Sequence, residues 1–243
     1  MPVAVTFDYW NTLIREAGPG VRDRRVDAWL GLFEGEGLAL ERERLHAAFD
    51  SGWSVFQRHW RENLMFGAVE AVDHVLAELG QDVPRDLRDE LVSVLTDPAP
   101  EHDPVPTDNV AECLAVLDGA GVRIGIICDV GLTPSRTLRR FLGRHGLLDR
   151  FDHWSFSDEV GVFKPDPVIF RHALEGLGVD DPTSAVHVGD LRRTDVAGAR
   201  ALGITSVRYT GVFDDPVADE EPELEADHVV ADHALLPELL GLG

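Results

Sequence analysis

The chain has 243 residues, 44% of them hydrophobic, enough for one large domain or two modest ones with a buried core. Its net charge of −22, from 44 acidic and 22 basic residues, opposes a nucleic-acid backbone or an anionic membrane over most of the surface, yet permits a small anionic substrate in a cleft where local cations reverse the field. Cys113 and Cys128 are too few for a disulfide framework and lack metal-ligand spacing, the first residues read as strand rather than cleavable leader, and no apolar run approaches ~18 residues, so a soluble cytoplasmic protein is expected.

The first predicted element is a short apolar, β-branched run over 3–7 that stops at Asp8. Such a run has the make-up of a buried parallel strand, and in open α/β sheets ligands bind beyond the carboxyl ends of the strands. Helical periodicity follows at 22–35, through Val26, Trp29, Leu30 and Phe33, then at 40–56, at 68–79 and, opened by Pro84, at 84–95. The segment 96–106 contains four prolines, which preclude a helix and mark a hinge. Beyond it the pattern alternates: helix 108–120, a strand ending at Ile127, helix 133–142, strand 184–188, helix 194–201, strand 205–209, a short strand at Val229 and Val230, and a last helix at 235–240. The acidic stretch 214–227 reads as a solvated loop. The alternation predicts an α/β fold, a doubly wound parallel sheet of Rossmann-like type, built from residues 1–14 and 106–243 and interrupted by a mainly helical domain with its linkers at 15–105.

Three further segments share the character of the one around Asp8. Arg123–Cys128 with Asp129 is a second buried strand ending in small polar residues; 160–167 holds Lys164, the one lysine of the chain; and 185–195 carries Asp190 after a glycine and Asp195 five residues later. Two carboxylates brought together at neighbouring strand ends repel unless a cation or a shared proton lies between them. A hard divalent ion with oxygen ligands answers that repulsion.

In order and in character, these four segments resemble the four motifs of the haloacid dehalogenase-like hydrolase superfamily, across the whole chain except the region between the first two. The resemblance implies that 15–105 is a helical cap, and that Asp8 is the nucleophile, forming a covalent aspartyl intermediate that water breaks down. It implies that Lys164 neutralises Asp8 and the transferred group, and that Mg2+ is held by Asp8, the backbone carbonyl of Trp10 and Asp190. Asp8, Lys164 and Asp190 are then the catalytic set, with Cys128, Asp129 and Lys164 facing the substrate. Asp195 either orients metal-bound water or caps the helix that begins there, and Thr12 makes a structural hydrogen bond within its own turn. Trp53, Trp60 and Phe66 are candidates either for the inner face of the cap or for packing among its helices.

Two positions depart from the family pattern. Most family phosphatases have a second aspartate two residues after the nucleophile, where it protonates the leaving group and activates water; here the residue is Trp10. The second motif usually offers Ser or Thr to a phosphoryl oxygen; here it is Cys128, a weak donor, followed by Asp129. An aromatic at the Trp10 position resembles the 2-haloacid dehalogenases, but those enzymes carry serine and asparagine where this chain has Asp190 and Arg192, and they use no magnesium. Magnesium-dependent hydrolysis of a small phosphate ester is therefore the first expectation. Dehalogenation and a weakly catalytic or non-catalytic ligand-binding role are the alternatives.

Overall fold

The apolar run at the start of the chain folds as β1 (Ala4–Phe7), with all four residues buried. The computed structural model describes residues 1–18, 20–97, 103–216 and 224–242, so the proline-rich linker at 98–102 and the acidic loop at 217–223 lie outside the described residues. After β1 come β2 (Ile14–Arg15), α1 (Val21–Gly35), α2 (Arg42–Arg61), α3 (Ala68–Leu79), α4 (Arg85–Thr96), β3 (Val105–Pro106), α5 (Val110–Gly119), β4 (Arg123–Cys128) and α6 (Ser135–Arg144). The order continues with β5 (His153–Phe156), α7 (Ser157–Val160), α8 (Pro167–Gly176), β6 (Ala185–Gly189), α9 (Ala197–Ala201), β7 (Thr205–Tyr209), β8 (His228–Val230) and α10 (Leu236–Leu239).

The chain divides into two compact units, one of residues 1–15, 104–129 and 139–243 and one of residues 16–103 and 130–138. In the first, six parallel strands lie in the order β5-β4-β1-β6-β7-β8, with helices packed against them. β1 is the point at which strand order reverses, and this is where an open parallel sheet leaves a crevice beyond its carboxyl edge. Ile169, Phe170, Ala173 and Leu174 of α8 cluster with Ala4 of β1, Ile127 of β4 and Ala185 of β6. Each of the larger side chains, Ile127, Ile169, Phe170 and Leu174, contributes roughly 1.5–3 kcal/mol relative to exposure, which is what seats the helix on the sheet. A two-residue antiparallel ladder joins β2 to β3.

The second unit gathers α1 to α4. Their buried residues recur at helical spacing: Val26, Trp29 and Phe33; Leu45, Ala48, Gly52 and Phe56; Val72, Val75, Leu76 and Leu79; Leu87, Leu91 and Leu95. Arg88 on α4 grips Asp73 on α3 through two bonds of 2.6 and 2.7 Å. Phe66 is buried and meets His59 at 5.1 Å between ring centroids, whereas Trp53 is half exposed and stacked on Phe56 at 5.0 Å.

Several expectations need correction. The segment 130–138, expected in the sheet unit, clusters with the helices. Gly131 lies where even a Cβ would meet the Phe56 ring at 3.5 Å, and Leu132 borders the same apolar gap as Trp29, Phe49 and Val75. β5, α7 and α8 were not anticipated, and α2 runs to Arg61 rather than stopping near Phe56. The expected helix at 194–201 starts as a π-turn, Arg192–Val196, before becoming α9. The described ends of the segment 214–227 are anchored rather than simply solvated: Asp214 and Glu225 accept from Arg208 at 2.6 and 2.9 Å, and Asp227 accepts from Ser206 at 2.8 Å.

Candidate active site

Register places the chemistry. Phe7 of β1 pairs with Val188 of β6 and Ile126 of β4, and the Asp8 amide donates to the Val188 carbonyl at 2.8 Å. Asp8, Asp129 and Asp190 therefore leave three adjacent strands at the same edge. Asp8 and Asp190 are buried, and with Asp195 they offer carboxylate oxygens that all lie within 4.8 Å of one another.

Lys164 is almost wholly buried, and its ammonium donates to both Asp8 and Asp195, the latter at 2.6 Å. Its backbone amide donates to Asp129 Oδ1 at 2.8 Å, so the carboxylate at the end of β4 fixes the loop that delivers the lysine. Burial works against the charge on Lys164, but Asp195 and Asp8 more than offset it and hold the pKa well above the usual value. Cys128 is buried in the last position of β4, and desolvation keeps its thiol protonated, with a pKa well above the ordinary value.

The three carboxylates are not equivalent. Burial pushes Asp8 up to about 7 despite Lys164, and pushes Asp190 well above the carboxylate range, with the negative charge of Asp8 adding to the effect. Burial also works to raise Asp195, but Lys164 and His187 outweigh it and hold this residue below the usual range. Asp195 Oδ1 accepts from Lys164 and, at 3.0 Å, from His187 Nε2; Oδ2 accepts from the Leu191 amide at 3.0 Å. These contacts occupy the Asp195 carboxylate, and a direct bond to a cation would require some of them to be given up. Asp190 is different: Asn11 Nδ2 donates to its Oδ2 at 3.2 Å, and it faces Asp8 inside a low-dielectric site. Two buried, mutually repelling carboxylates with oxygen donors on converging strand ends fit a hard divalent cation.

Several residues that position this site were not singled out from the sequence. Asn11 adopts φ 58°, a left-handed conformation that Asn tolerates better than most residues, and this turns its amide toward Asp190. His187, in the middle of β6, lies 2.9 Å from Thr6 Oγ1 on β1 through Nδ1. Burial holds the ring below its usual pKa, its Nε2 lies 3.0 Å from Asp195 Oδ1, and the Thr6 hydroxyl beside its Nδ1 also reaches the Val186 carbonyl at 3.3 Å. A histidine between two valines of a buried strand was the available signal. Gly189 is required because a Cβ there would lie 2.2 Å from the Asp195 carboxylate carbon.

The expected hydrogen bond of Thr12 is not made. Its hydroxyl is buried and has no partner among the described residues. Instead its carbonyl accepts from Thr107 Oγ1 at 2.6 Å and from His233 Nε2 at 2.8 Å, so the turn after the candidate nucleophile is held by distant segments rather than by its own side chain. Trp10 is half buried and meets Tyr9 edge-on at 5.4 Å.

A family model described as a haloacid dehalogenase-like hydrolase matches residues 3–203. The human haloacid dehalogenase-like hydrolase domain-containing protein 3 is 36% identical over 137 residues, 51% of this chain and 51% of that protein. The glyceraldehyde 3-phosphate phosphatase of Methanopyrus kandleri is 32% identical over 174 residues, 64% of this chain and 73% of that protein. The chain spans about half the length of the human relative and of several other curated relatives it matches. Among solved structures, a 2-haloacid dehalogenase from Pseudomonas syringae pv. Tomato matches with a TM-score of 0.72 at 25% identity, covering 99% of each chain.

Proposed function

This chain belongs to the haloacid dehalogenase-like hydrolase family, and from that premise we propose that it hydrolyses a small phosphate ester in a magnesium-dependent reaction through Asp8. The observation that carries the reading is the buried Asp8–Asp190 pair, whose repulsion a hard cation relieves and for which metal-free displacement of halide has no use. Magnesium, held by Asp8, the Trp10 carbonyl and Asp190, would supply neutralisation of the charge gathered at the phosphoryl group.

Asp8 attacks phosphorus, the ester P–O bond breaks and an aspartyl-phosphate forms; water then attacks that phosphorus, releasing inorganic phosphate and regenerating the carboxylate. Lys164, aligned by Asp195 and anchored through Asp129, keeps a fixed positive charge on the attacking oxygen's carboxylate. Cys128 and Asp129 stand at the strand end facing the incoming group. Trp10 offers no proton, so the leaving oxygen draws one from solvent, which favours esters with good leaving groups. The phosphatase name of the archaeal relative is consistent with a small phosphorylated substrate. The helical unit is assigned the role of a cap that selects the substrate and excludes water during the reaction. Among the described residues no helix is long and apolar enough to cross a membrane.

A second reading, displacement of halide from a 2-haloacid, is favoured by the aromatic Trp10 and by the dehalogenase neighbour. A panel of phosphate monoesters and 2-haloacids, with and without magnesium, separates the two. Phosphate release that requires magnesium and disappears in Asp8→Asn is expected; halide release indifferent to magnesium would overturn the assignment.

A further inference from the structure

The edge strand β5 and the helix beside it bring two imidazoles and a hydroxyl together, away from the carboxylates around Asp8. Successive strand residues point to opposite faces, so His153 and Ser155 share one face while Trp154 and Phe156 share the other, where Arg139 lies over both rings at 5.4 and 4.7 Å. On the first face α8 supplies His172. Its Nδ1 lies 3.3 Å from His153 Nε2 and 2.8 Å from Ser155 Oγ, with the two imidazole centroids 4.9 Å apart. Space for this arrangement is built into the backbone: a Cβ on Gly176, at the end of α8, would fall 2.1 Å from the His153 ring.

His172 Nδ1 faces two partners at once. A neutral imidazole nitrogen has either one lone pair or one hydrogen, so His172 Nδ1 can pair with His153 or with Ser155 but not properly with both. Two imidazole nitrogens on one tetrahedral zinc, each at ~2.0–2.1 Å, stand about 3.3 Å apart, the separation found here. We propose that His153 and His172 form a binding site for a divalent transition-metal cation of the zinc class, with the Ser155 hydroxyl and solvent beside it. Burial holds His153 below its ordinary pKa, which leaves the ring neutral and its lone pair available near neutral pH. The net charge of −22 draws cations to the surface. Nitrogen donors separate this site from the carboxylates around Asp8, because magnesium prefers oxygen and zinc accepts imidazole. Bound metal would clamp β5 to α8 and rigidify the open edge of the sheet.

The test is calorimetric titration of the chelator-stripped protein with zinc chloride in saturating magnesium, which occupies the carboxylates. One equivalent of zinc should bind and raise the melting temperature. His172 is exposed, so His172→Ala should fold as the wild type does yet bind zinc at least ~10-fold more weakly, a loss that even outer-shell changes produce. His153→Gln, with a comparable metal-free melting temperature, should behave the same way and decides the matter if His172→Ala is unstable. Zinc affinity unchanged in the variants, or no zinc uptake by the wild type, would overturn the proposal.

Discussion

Asp190 and Trp10 carry opposite messages about the chemistry. Asp190 is buried beside Asp8, with Asn11 donating to it, so replacing it by Asn removes both a hard ligand and the repulsion a cation would relieve. Asp190→Asn should weaken magnesium binding at least ~10-fold by calorimetry with the melting temperature unchanged or raised, and unchanged affinity would remove Asp190 from the metal site. On the proposed route through an aspartyl-phosphate, Trp10 would offer no acid–base help to either step, and breakdown would suffer more when the leaving group is good. An aryl phosphate should therefore give a burst in rapid-quench measurements, absent in Asp8→Asn. Because Trp10 is only half buried, Trp10→Asp can be accommodated, and it should raise steady-state turnover by up to ~10²-fold, the low end of what general acid–base catalysis contributes. Asp8, Lys164 and Asp190 could be picked out by type and spacing along the chain. Asn11 and Thr6 could not, because the side chains they meet, Asp190 and His187, are about 180 residues away and only the folding of the sheet brings them within 3.2 Å.

Among the elements, the π-turn at Arg192–Val196 and Gly189 form one device. The wide turn lets Asp195 reach back beneath the end of β6, and Gly189 leaves the space its carboxylate occupies. Gly189→Ala should therefore cost about 1–3 kcal/mol by overpacking, read from denaturant unfolding, and should lower kcat through a displaced Lys164. Wild-type stability in that variant would show that the carboxylate moves aside freely. The helices of the second unit were legible because each has a one-sided apolar stripe. β5 was missed because His-Trp-Ser-Phe lacks the β-branched run that marked β1, β4 and β6, and α8 was masked by the motif that precedes it, although Asp166 accepting from the Val168 amide and Pro167 in the first turn are ordinary helix-start signals.

The excess acidic charge of the chain is partly organised. Arg208 and Arg192 hold Glu225 through bonds of 2.9 and 2.8 Å, and these bonds, chiefly to Arg208, depress the Glu225 pKa from 4.5 to about 2. A carboxylate with a depressed folded-state pKa stabilises the fold fully above its unfolded value and loses that contribution as it is protonated. The melting-temperature gap between wild type and Glu225→Gln should thus be constant above pH 4.5 and close as pH falls toward 2. A gap independent of pH across that window would refute the ion-pair account. Glu225 is partly exposed, so the gap should be modest and should shrink in high salt.

Local order along the chain was sufficient for the α/β alternation, the helical insertion and the placing of Asp8 at a strand end, because strand and helix periodicities and strand-end residues are properties of neighbouring positions. Three matters depended on contacts between distant segments. They are the different ionisation of Asp8, Asp190 and Asp195, the holding of the nucleophile turn by Thr107 and His233, and the clustering of 130–138 with the helices. Each depends on which atoms are buried together, and burial and Coulomb interactions act through space rather than along the sequence.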